Sequence, residues 1–163
     1  MSVADQLVTP ILFFEDLSPG ISFKSAARTI SEADIVAFAG LSGDYNPLHI
    51  DEEFAKTTVH GSRIAHGLLV LSILSGLSTR VPLMLALSST MIGLAGLECR
   101  WKQSTKIGDT LHVKLTVMEL NPTSKPDKGI VVLSREAVNQ HGETVMESTW
   151  KLLVRCRGAV GAA

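Results

Sequence analysis

Alternating apolar and polar residues dominate the second half of the chain. The segment "TLHVKLTVMEL", residues 110–120, has leucine or valine at every second position over its first eight residues, with mostly polar residues between them. This period of two is typical of a strand with one buried and one solvent-facing side. Further strands are predicted over 94–104, 129–138 and 143–156, the last two joined by the turn "NQHG". Together these segments predict a four-stranded antiparallel meander.

The first half of the chain contains two helical patterns. After a strand-like segment over 21–30, Ser31 is a suitable N-cap, and the helix that it opens should end at Gly40 and Gly43. Residues 67–80 predict a second helix that is apolar nearly all round. Such a pattern is typical of a helix buried in a core.

These elements place the chain in the α+β class. We expect an antiparallel β-sheet wrapped around one long central α-helix. No internal repeat, linker or low-complexity stretch divides the chain, so residues 1–163 are predicted to form a single domain with a core over about 12–157.

Composition narrows the class of protein. The 163 residues are 45% hydrophobic, which is enough to fill the core of one domain. The net charge is −1 and neither sign forms a long run, so we expect no nucleic-acid-binding surface. The N-terminal segment has no basic region and the chain has only two cysteines, so neither a secretory signal nor a disulfide framework is expected. We predict a cytoplasmic protein.

Two apolar stretches have to be weighed as membrane spans. Residues 64–77 are short for a bilayer and include a histidine and two serines, while residues 81–97 contain Pro82 and the polar run "SST". Each stretch is explained better as part of a core, so no membrane association is expected.

The stretch "SGDYNPLH" interrupts this apolar sequence with an acid, an amide, a proline and a histidine. Pro47 disfavours helical geometry at the preceding residue, so residues 43–49 are predicted to form a fixed, non-helical turn. Asn46 is suited to stabilise such a turn through side-chain to backbone bonds. The turn would present Asp44 and His49 together, and an acid beside an imidazole can position water and exchange protons.

A purely structural turn is the alternative. Asp, Asn, Gly and Pro are also the commonest turn residues, and each of them alone is more often structural than functional. The composition of the stretch does not decide between the two interpretations.

The complete pattern resembles a known family. "FAGLSGDYNPLHID", residues 38–51, followed by "GSRIAHGLLVLSILSGL", residues 61–77, closely resembles the hydratase-2 motif region of the MaoC-like enoyl-CoA hydratases. The segments "GDTLHVKLTV" and "NQHGETV" are also similar to that family. The resemblance implies the hot-dog fold and hydration of a trans-2-enoyl-CoA, an activity of fatty-acid metabolism, to the (R)-3-hydroxyacyl-CoA.

The resemblance also implies roles for individual residues. Asp44 and His49 match the catalytic pair that activates water. Gly67 matches the glycine whose backbone N–H receives the thioester oxygen, a place where a helix N-terminus stabilises developing negative charge. Its missing side chain would also let the thioester approach the backbone.

Three further residues are expected to support the site or the substrate. Asn46 would hold the catalytic loop, and Ser75 matches a serine that lines the site in relatives. A serine on a buried helix can instead bond to its own backbone carbonyls. His66, next to Gly67, is expected to be a satisfied, partly buried residue that shapes the start of the helix.

No cofactor is implied, because the coenzyme A thioester is itself the substrate. His60, His66, His112 and His141 show no metal-ligand spacing with the cysteines, so no metal site is expected. A small sheet around one helix leaves unpaired edges that a second chain commonly covers. We therefore predict a homodimer or higher homo-oligomer with the acyl-CoA site near the subunit boundary, as the resemblance also implies.

Several functions remain open within this fold. A 3-hydroxyacyl-carrier-protein dehydratase would use the same groups, and a non-catalytic acyl-CoA-binding protein would not need the acid/base pair. A hot-dog thioesterase would hydrolyse the thioester, and the intact "GDYNPLH" argues against it. The residues that contact the CoA phosphates stay open among Arg63, Arg100, Lys102 and Lys106.

Overall fold

The computed structural model describes residues 10–159 of the chain. The α-helices within this range are α1 (Glu32–Ser42), α2 (Pro47–Ile50), α3 (Glu52–Lys56), α4 (Gly67–Ser78) and α5 (Pro82–Ala86). The strands within it are β1 (Ser22–Lys24), β2 (Arg28–Thr29), β3 (Met91–Trp101), β4 (Thr110–Pro122), β5 (Lys128–Val138) and β6 (Thr144–Arg155). This element order confirms the α+β class.

The strands form an antiparallel sheet in the order β1-β4-β5-β6-β3, with β2 also paired to β4. The predicted meander is wrong in one respect, because β3 pairs with β6 and not with β4, which follows it in the sequence. β4 has no free edge for β3, since β5 occupies one side and β1 and β2 occupy the other. As a result β3 lies at an edge of the sheet.

The strand predicted over 21–30 is divided into β1 and β2. At the break, the Ser25 side chain accepts a hydrogen bond from the Val113 N–H at 2.8 Å, where an uninterrupted ladder would use a main-chain carbonyl. Ser25 N–H still donates to the Val113 carbonyl at 2.9 Å. The side-chain hydroxyl therefore interrupts the ladder while keeping both segments on β4.

The core lies between α4 and the inner face of the sheet. From α4 and β4 it receives aliphatic side chains with at most 7% exposure, namely Leu69, Val70, Ile73, Leu74, Leu77, Leu111, Val113, Leu115 and Val117. Full burial of each such side chain contributes roughly 1.5–3 kcal/mol. Within residues 10–159, no helix combines the length and apolar character that a membrane crossing needs.

The start of α1 at Ser31 and its end at Gly43 form as predicted, whereas Gly40, also predicted to end the helix, lies within it. The Ser31 side chain accepts from the Asp34 N–H, and the Asp34 side chain accepts from the Ser31 N–H, which makes a capping box. The helix stops at Gly43, whose φ of 75° is left-handed. Glycine adopts this conformation without steric cost, so it can turn the chain directly before Asp44.

The prediction of a non-helical turn over 43–49 is only partly correct. Residues Pro47–Ile50 form the short helix α2, with Pro47 at its first turn and Asn46 as N-cap. Proline is well suited to this position, because its fixed φ is helical and the N–H that it lacks would have no partner there. His49 therefore projects from a helix, not from an extended loop.

Candidate active site

The turn between α1 and α2 carries the predicted acid. Asn46 fixes it from both sides, since its N–H donates to the Asp44 carboxylate at 3.2 Å and its side-chain oxygen accepts from the Leu48 N–H at 3.0 Å. Asp44 itself is exposed in the single chain. The local sequence thus holds the carboxylate in place beside α2 and leaves it accessible.

A backbone carbonyl orients the His49 ring. His49 Nδ1 lies 2.8 Å from the carbonyl oxygen of Ile64. Because a carbonyl oxygen can only accept a hydrogen bond, Nδ1 carries the proton and donates. Nε2 of neutral His49 is therefore the bare nitrogen, which is the form that a general base requires.

His66 is more deeply buried than the sequence led us to expect. It is 2% exposed, and its ring stacks on that of His49 with centroids 3.8 Å apart and planes inclined by 30°. Its Nε2 lies 2.9 Å from the carbonyl oxygen of Asp44. The expectation that its polar atoms are satisfied is wrong, since Nδ1 is buried with no hydrogen-bond partner among residues 10–159.

Asp44, His49 and His66 form one cluster, in which one potential ligand atom from each side chain lies within 4.8 Å of the others. Three groups at such distances can in principle share a metal ion. One nitrogen of each ring is already engaged with a backbone carbonyl, however, Nδ1 of His49 with Ile64 and Nε2 of His66 with Asp44. The geometry fits proton transfer between water and a carboxylate–imidazole pair better than metal coordination.

The start of α4 lies directly beside this cluster. His66 is the N-cap of α4, and its side chain makes no capping hydrogen bond. The first N–H groups of a helix have no intrahelical partner, and the helix dipole is positive at this end. The amides of Gly67 and its successors are thus not capped by the usual side chain.

Trp101 leaves little room for a side chain at residue 67. The indole Nε1 donates to the Gly67 carbonyl at 2.9 Å. A Cβ atom at residue 67 would lie 2.8 Å from the same Nε1 and 2.9 Å from Cε2. The sequence-based reason, that the missing side chain makes room for a thioester, is therefore incomplete, because the indole already fills that space.

A cleft of about 310 Å³ opens between His49 and the start of α4. Its walls come from α2, from the segment before α4 and from the end of β3, and the lining residues are His49, His60, Ile64, Ala65, Gly67, Val70, Trp101, Lys102, Gln103, Ser104 and Thr105. A larger depression of about 510 Å³ lies over β3, β5 and β6 and is lined by other residues. We assign the site to the smaller cleft because it contains the histidine with the free nitrogen.

Ser75 is not among the residues that line this cleft. It lies eight residues after Gly67 on α4, a separation of about 12 Å along the helix axis. Within one chain, the structure does not bring Ser75 to the His49 side of the helix start.

Arg63 braces the segment that leads into α4. Its guanidinium bonds to Glu32 at the start of α1 at 2.8 Å and to Glu52 in α3 at 3.1 Å. The hydrogen bonds to Glu32 and Glu52 raise the pKa of Arg63, and the hydrogen bond from Arg63 lowers the pKa of Glu52. Since both ion pairs engage Arg63, it is the least suited of the four cations considered for the CoA phosphates.

A sheet wrapped around one long helix, with an acid and an imidazole at the start of that helix, defines a hot-dog protein with an acid/base site. The chain belongs to the MaoC-like domain family, which matches residues 16–139.

Known proteins show how far this likeness extends. The chain is 38% identical over 156 residues to an (R)-specific enoyl-CoA hydratase of Rhodospirillum rubrum, covering 95% of this chain and 99% of that protein. It superposes on the crystal structure of a MaoC-like dehydratase from Rhodospirillum rubrum with a TM-score of 0.80 and 39% identity, over 90% of this chain and 98% of that chain. A Mycobacterium tuberculosis protein described as having a double hot-dog fold shares the fold at 21% identity, with a TM-score of 0.76 over 90% of this chain and 44% of its own.

Proposed function

We propose that this protein is an enoyl-CoA hydratase that adds water to trans-2-enoyl-CoA and gives (R)-3-hydroxyacyl-CoA, in a reversible reaction. A relative that matches nearly end to end is an (R)-specific enoyl-CoA hydratase. The observation that carries the proposal is the fixed tautomer of His49, which leaves Nε2 bare on a side chain that clusters with the Asp44 carboxylate beside the start of α4.

His49 and Asp44 act on one water molecule. The Asp44 carboxylate accepts a hydrogen bond from the water and orients it, while His49 Nε2 accepts a proton as the water oxygen bonds to C3 of the substrate. The electron pair of the C2–C3 double bond moves toward the thioester and forms an enolate. C2 then takes a proton from the same acid/base pair, so that the elements of one water are added overall.

The Gly67 N–H stabilises the enolate oxygen. Negative charge develops on the thioester oxygen only as the C3–O bond forms, so a donor aimed at that oxygen lowers the barrier more than it strengthens substrate binding. The positive end of the α4 dipole acts in the same direction.

The reaction needs no cofactor, because hydration is redox-neutral and the CoA thioester is the substrate. The runner-up is dehydration of a 3-hydroxyacyl thioester on a carrier protein, which would use the same groups in reverse. Parallel assays with the same acyl group on CoA and on a carrier protein distinguish the two functions.

We also propose a homodimer that pairs through β3. On the inner face of the sheet, Leu97 and Trp101 of β3 lie opposite Trp150 and Met146 of β6. The two β6 residues are buried, whereas Leu97 is 38% and Trp101 45% exposed. An unpaired edge strand with uncovered apolar side chains is a site at which a second chain adds. The cleft that contains Trp101 would then lie at the subunit boundary.

Analytical ultracentrifugation at assay concentration tests this dimer. We expect a dimer for the wild-type protein and dissociation, with loss of activity, for Leu94→Glu, because Leu94 is 50% exposed on β3. Met118→Glu changes an equally exposed residue on β4 and should leave the assembly intact. A fully active wild-type monomer would contradict the proposal.

Asp44→Asn and His49→Ala test the acid/base pair. Each should lower kcat for hydration by about 10²-fold or more, as expected for loss of a general acid/base group. His141→Ala, on the exposed hairpin between β5 and β6, is the matched control for loss of an imidazole. If either site variant kept near wild-type turnover while folded, the role assigned to that residue would be wrong.

The cytoplasm remains our proposal for the compartment. Cys99 and Cys156 are both free thiols, which suits a reducing environment. Fractionation of cells that produce the tagged protein tests it, and recovery from an oxidising compartment would contradict it.

A further inference from the structure

His66 is the one side chain in the cluster that touches both members of the proposed pair. Its ring stacks on His49 at 3.8 Å, and its Nε2 bonds to the backbone carbonyl of Asp44 at 2.9 Å. On the chain it directly precedes Gly67, the proposed oxyanion donor. The ring of Phe38, at a centroid distance of 5.0 Å, packs against it as well.

The protonation pattern of His66 follows from its partner. The Asp44 carbonyl can only accept, so Nε2 carries the proton and Nδ1 is left with a bare lone pair. This lone pair is buried and unpaired within residues 10–159. An unpaired buried acceptor is unfavourable, and a phenylalanine or leucine would fill the space without one. Packing alone therefore does not account for an imidazole at this position.

The position of His66 at the start of α4 also argues against a purely structural role. The N-cap of a helix favours Ser, Thr, Asp or Asn, whose oxygen accepts from the first amides. His66 is the N-cap of α4 but turns its side chain toward Asp44 and makes no capping bond. The helix therefore lacks the stabilisation of a side-chain cap, and its first amides are uncapped beside the acid/base cluster.

We propose that His66 is a positioning residue, which fixes Asp44 and His49 relative to each other and to the Gly67 amide. This inference rests on the proposed hydratase function, and it adds a role that the acid/base chemistry itself does not require. The Nε2–H bond of His66 holds the Asp44 turn, and its stacked face holds the His49 ring.

Three substitutions separate the two contacts. His66→Ala removes both, His66→Phe keeps an aromatic face against His49 but loses the donor, and His66→Gln keeps an amide donor for the Asp44 carbonyl but loses the face. Because His66 does not touch the substrate in this scheme, we expect losses in kcat with KM little changed. A misplacement of about 1 Å lowers catalysis by about 10²-fold, so we expect about that loss for Ala and about 10-fold losses for Phe and Gln.

The partial rescue by Phe and by Gln is a result that a merely structural role does not predict. Circular dichroism and thermal melting establish that each variant is folded, and His141→Ala serves as the imidazole control. If the folded Phe and Gln variants both hydrate trans-2-butenoyl-CoA with kcat within about twofold of wild type, the inference is overturned. Equal losses in all three variants, with no rescue, would overturn it too.

Imidazole ¹⁵N NMR provides a readout that does not depend on activity. In the wild-type protein we expect His49 protonated at Nδ1 and His66 at Nε2, and we expect the His49 ring signals to move in the Ala and Gln variants but much less in the Phe variant. The opposite His66 tautomer would overturn the inference. If the NMR pattern held but wild type hydrated no enoyl thioester, the proposed function would fail while the arrangement of the two rings stood.

Discussion

Replacement of Gly67 by proline removes the proposed oxyanion donor, because proline has no backbone N–H. Gly67 is the first residue of α4, a position where proline is favoured. The preceding residue, His66, has φ −58° and ψ 136°, which is the extended geometry that a following proline requires. The backbone can therefore accept Gly67→Pro without unwinding α4.

The added Cβ atom has its own cost, which Gly67→Ala measures separately. It would lie 2.8 Å from Nε1 of Trp101, so the indole has to move and its bond to the Gly67 carbonyl is weakened. Trp101 is 45% exposed in the single chain but would be covered in the proposed dimer, so we expect an overpacking cost of about 1–3 kcal/mol, with about 1 kcal/mol for the hydrogen bond. Each kcal/mol lowers Tm by about 2–4 °C in a chain of this size.

Both variants add this Cβ atom. Proline in addition removes the N–H and places its ring Cδ on the nitrogen, where the thioester oxygen would bind, so the comparison tests whether that oxygen approaches this amide. We expect kcat of Gly67→Pro to lie about 10²- to 10³-fold below that of Gly67→Ala, as for loss of one oxyanion donor elsewhere. Thermal melting checks that both are folded, and the absorbance of trans-2-butenoyl-CoA gives kcat and KM. If folded Gly67→Pro turned over within about threefold of Gly67→Ala, the oxyanion donor would not be the Gly67 amide.

Two further predictions concern stability. Burial lowers the pKa of Arg135 to about 10, a shift that corresponds to about 3 kcal/mol against the charged form, while stacking on Trp150 at 4.1 Å returns about 2 kcal/mol. We therefore expect Arg135→Met to raise Tm slightly and Arg135→Lys to lower it; a large destabilisation by Met would show that the guanidinium has a favourable role that these contacts do not explain. The second prediction concerns the carboxylate of Asp34. Burial raises its pKa, but hydrogen bonds from Ser31 and the nearby Arg28 outweigh this effect and lower the pKa below 3.8. Its contribution to stability is then present above about pH 4 and lost as pH falls through the lower folded value. In urea unfolding, Asp34→Asn should be destabilised at pH 7 and approach wild type at low pH, and a constant difference at every pH would contradict this assignment.

Local signals in the sequence predict the ends of the helix that precedes the site. The capping box joins Ser31 to Asp34, and the left-handed cap uses Gly43 itself. Because each signal acts within a few residues, residue type and spacing predict it. The sequence predicts a non-helical turn at Pro47 because proline disfavours helical geometry at the residue before it. Proline is nevertheless favoured at the first turn of a helix, and Pro47 opens one here.

The sequence does not predict contacts between distant segments in this way. The pairing of β3 with β6 depends on which edges the other strands leave free, and alternation within a strand carries no information about its neighbour. Trp101 and Gly67 are 34 residues apart, and neither residue alone indicates that the indole fills the place of a Cβ atom. The Ile64 carbonyl that sets the His49 tautomer is a backbone group, for which the sequence offers no signal.

Hydration of trans-2-butenoyl-CoA by the purified wild-type protein tests the central claim most directly. The account predicts loss of the enoyl-thioester absorbance, with 3-hydroxybutyryl-CoA of the (R) configuration as the product after chiral analysis. Failure to hydrate trans-2-enoyl groups of short, medium and long chain, whether carried on CoA or on a carrier protein, would contradict it.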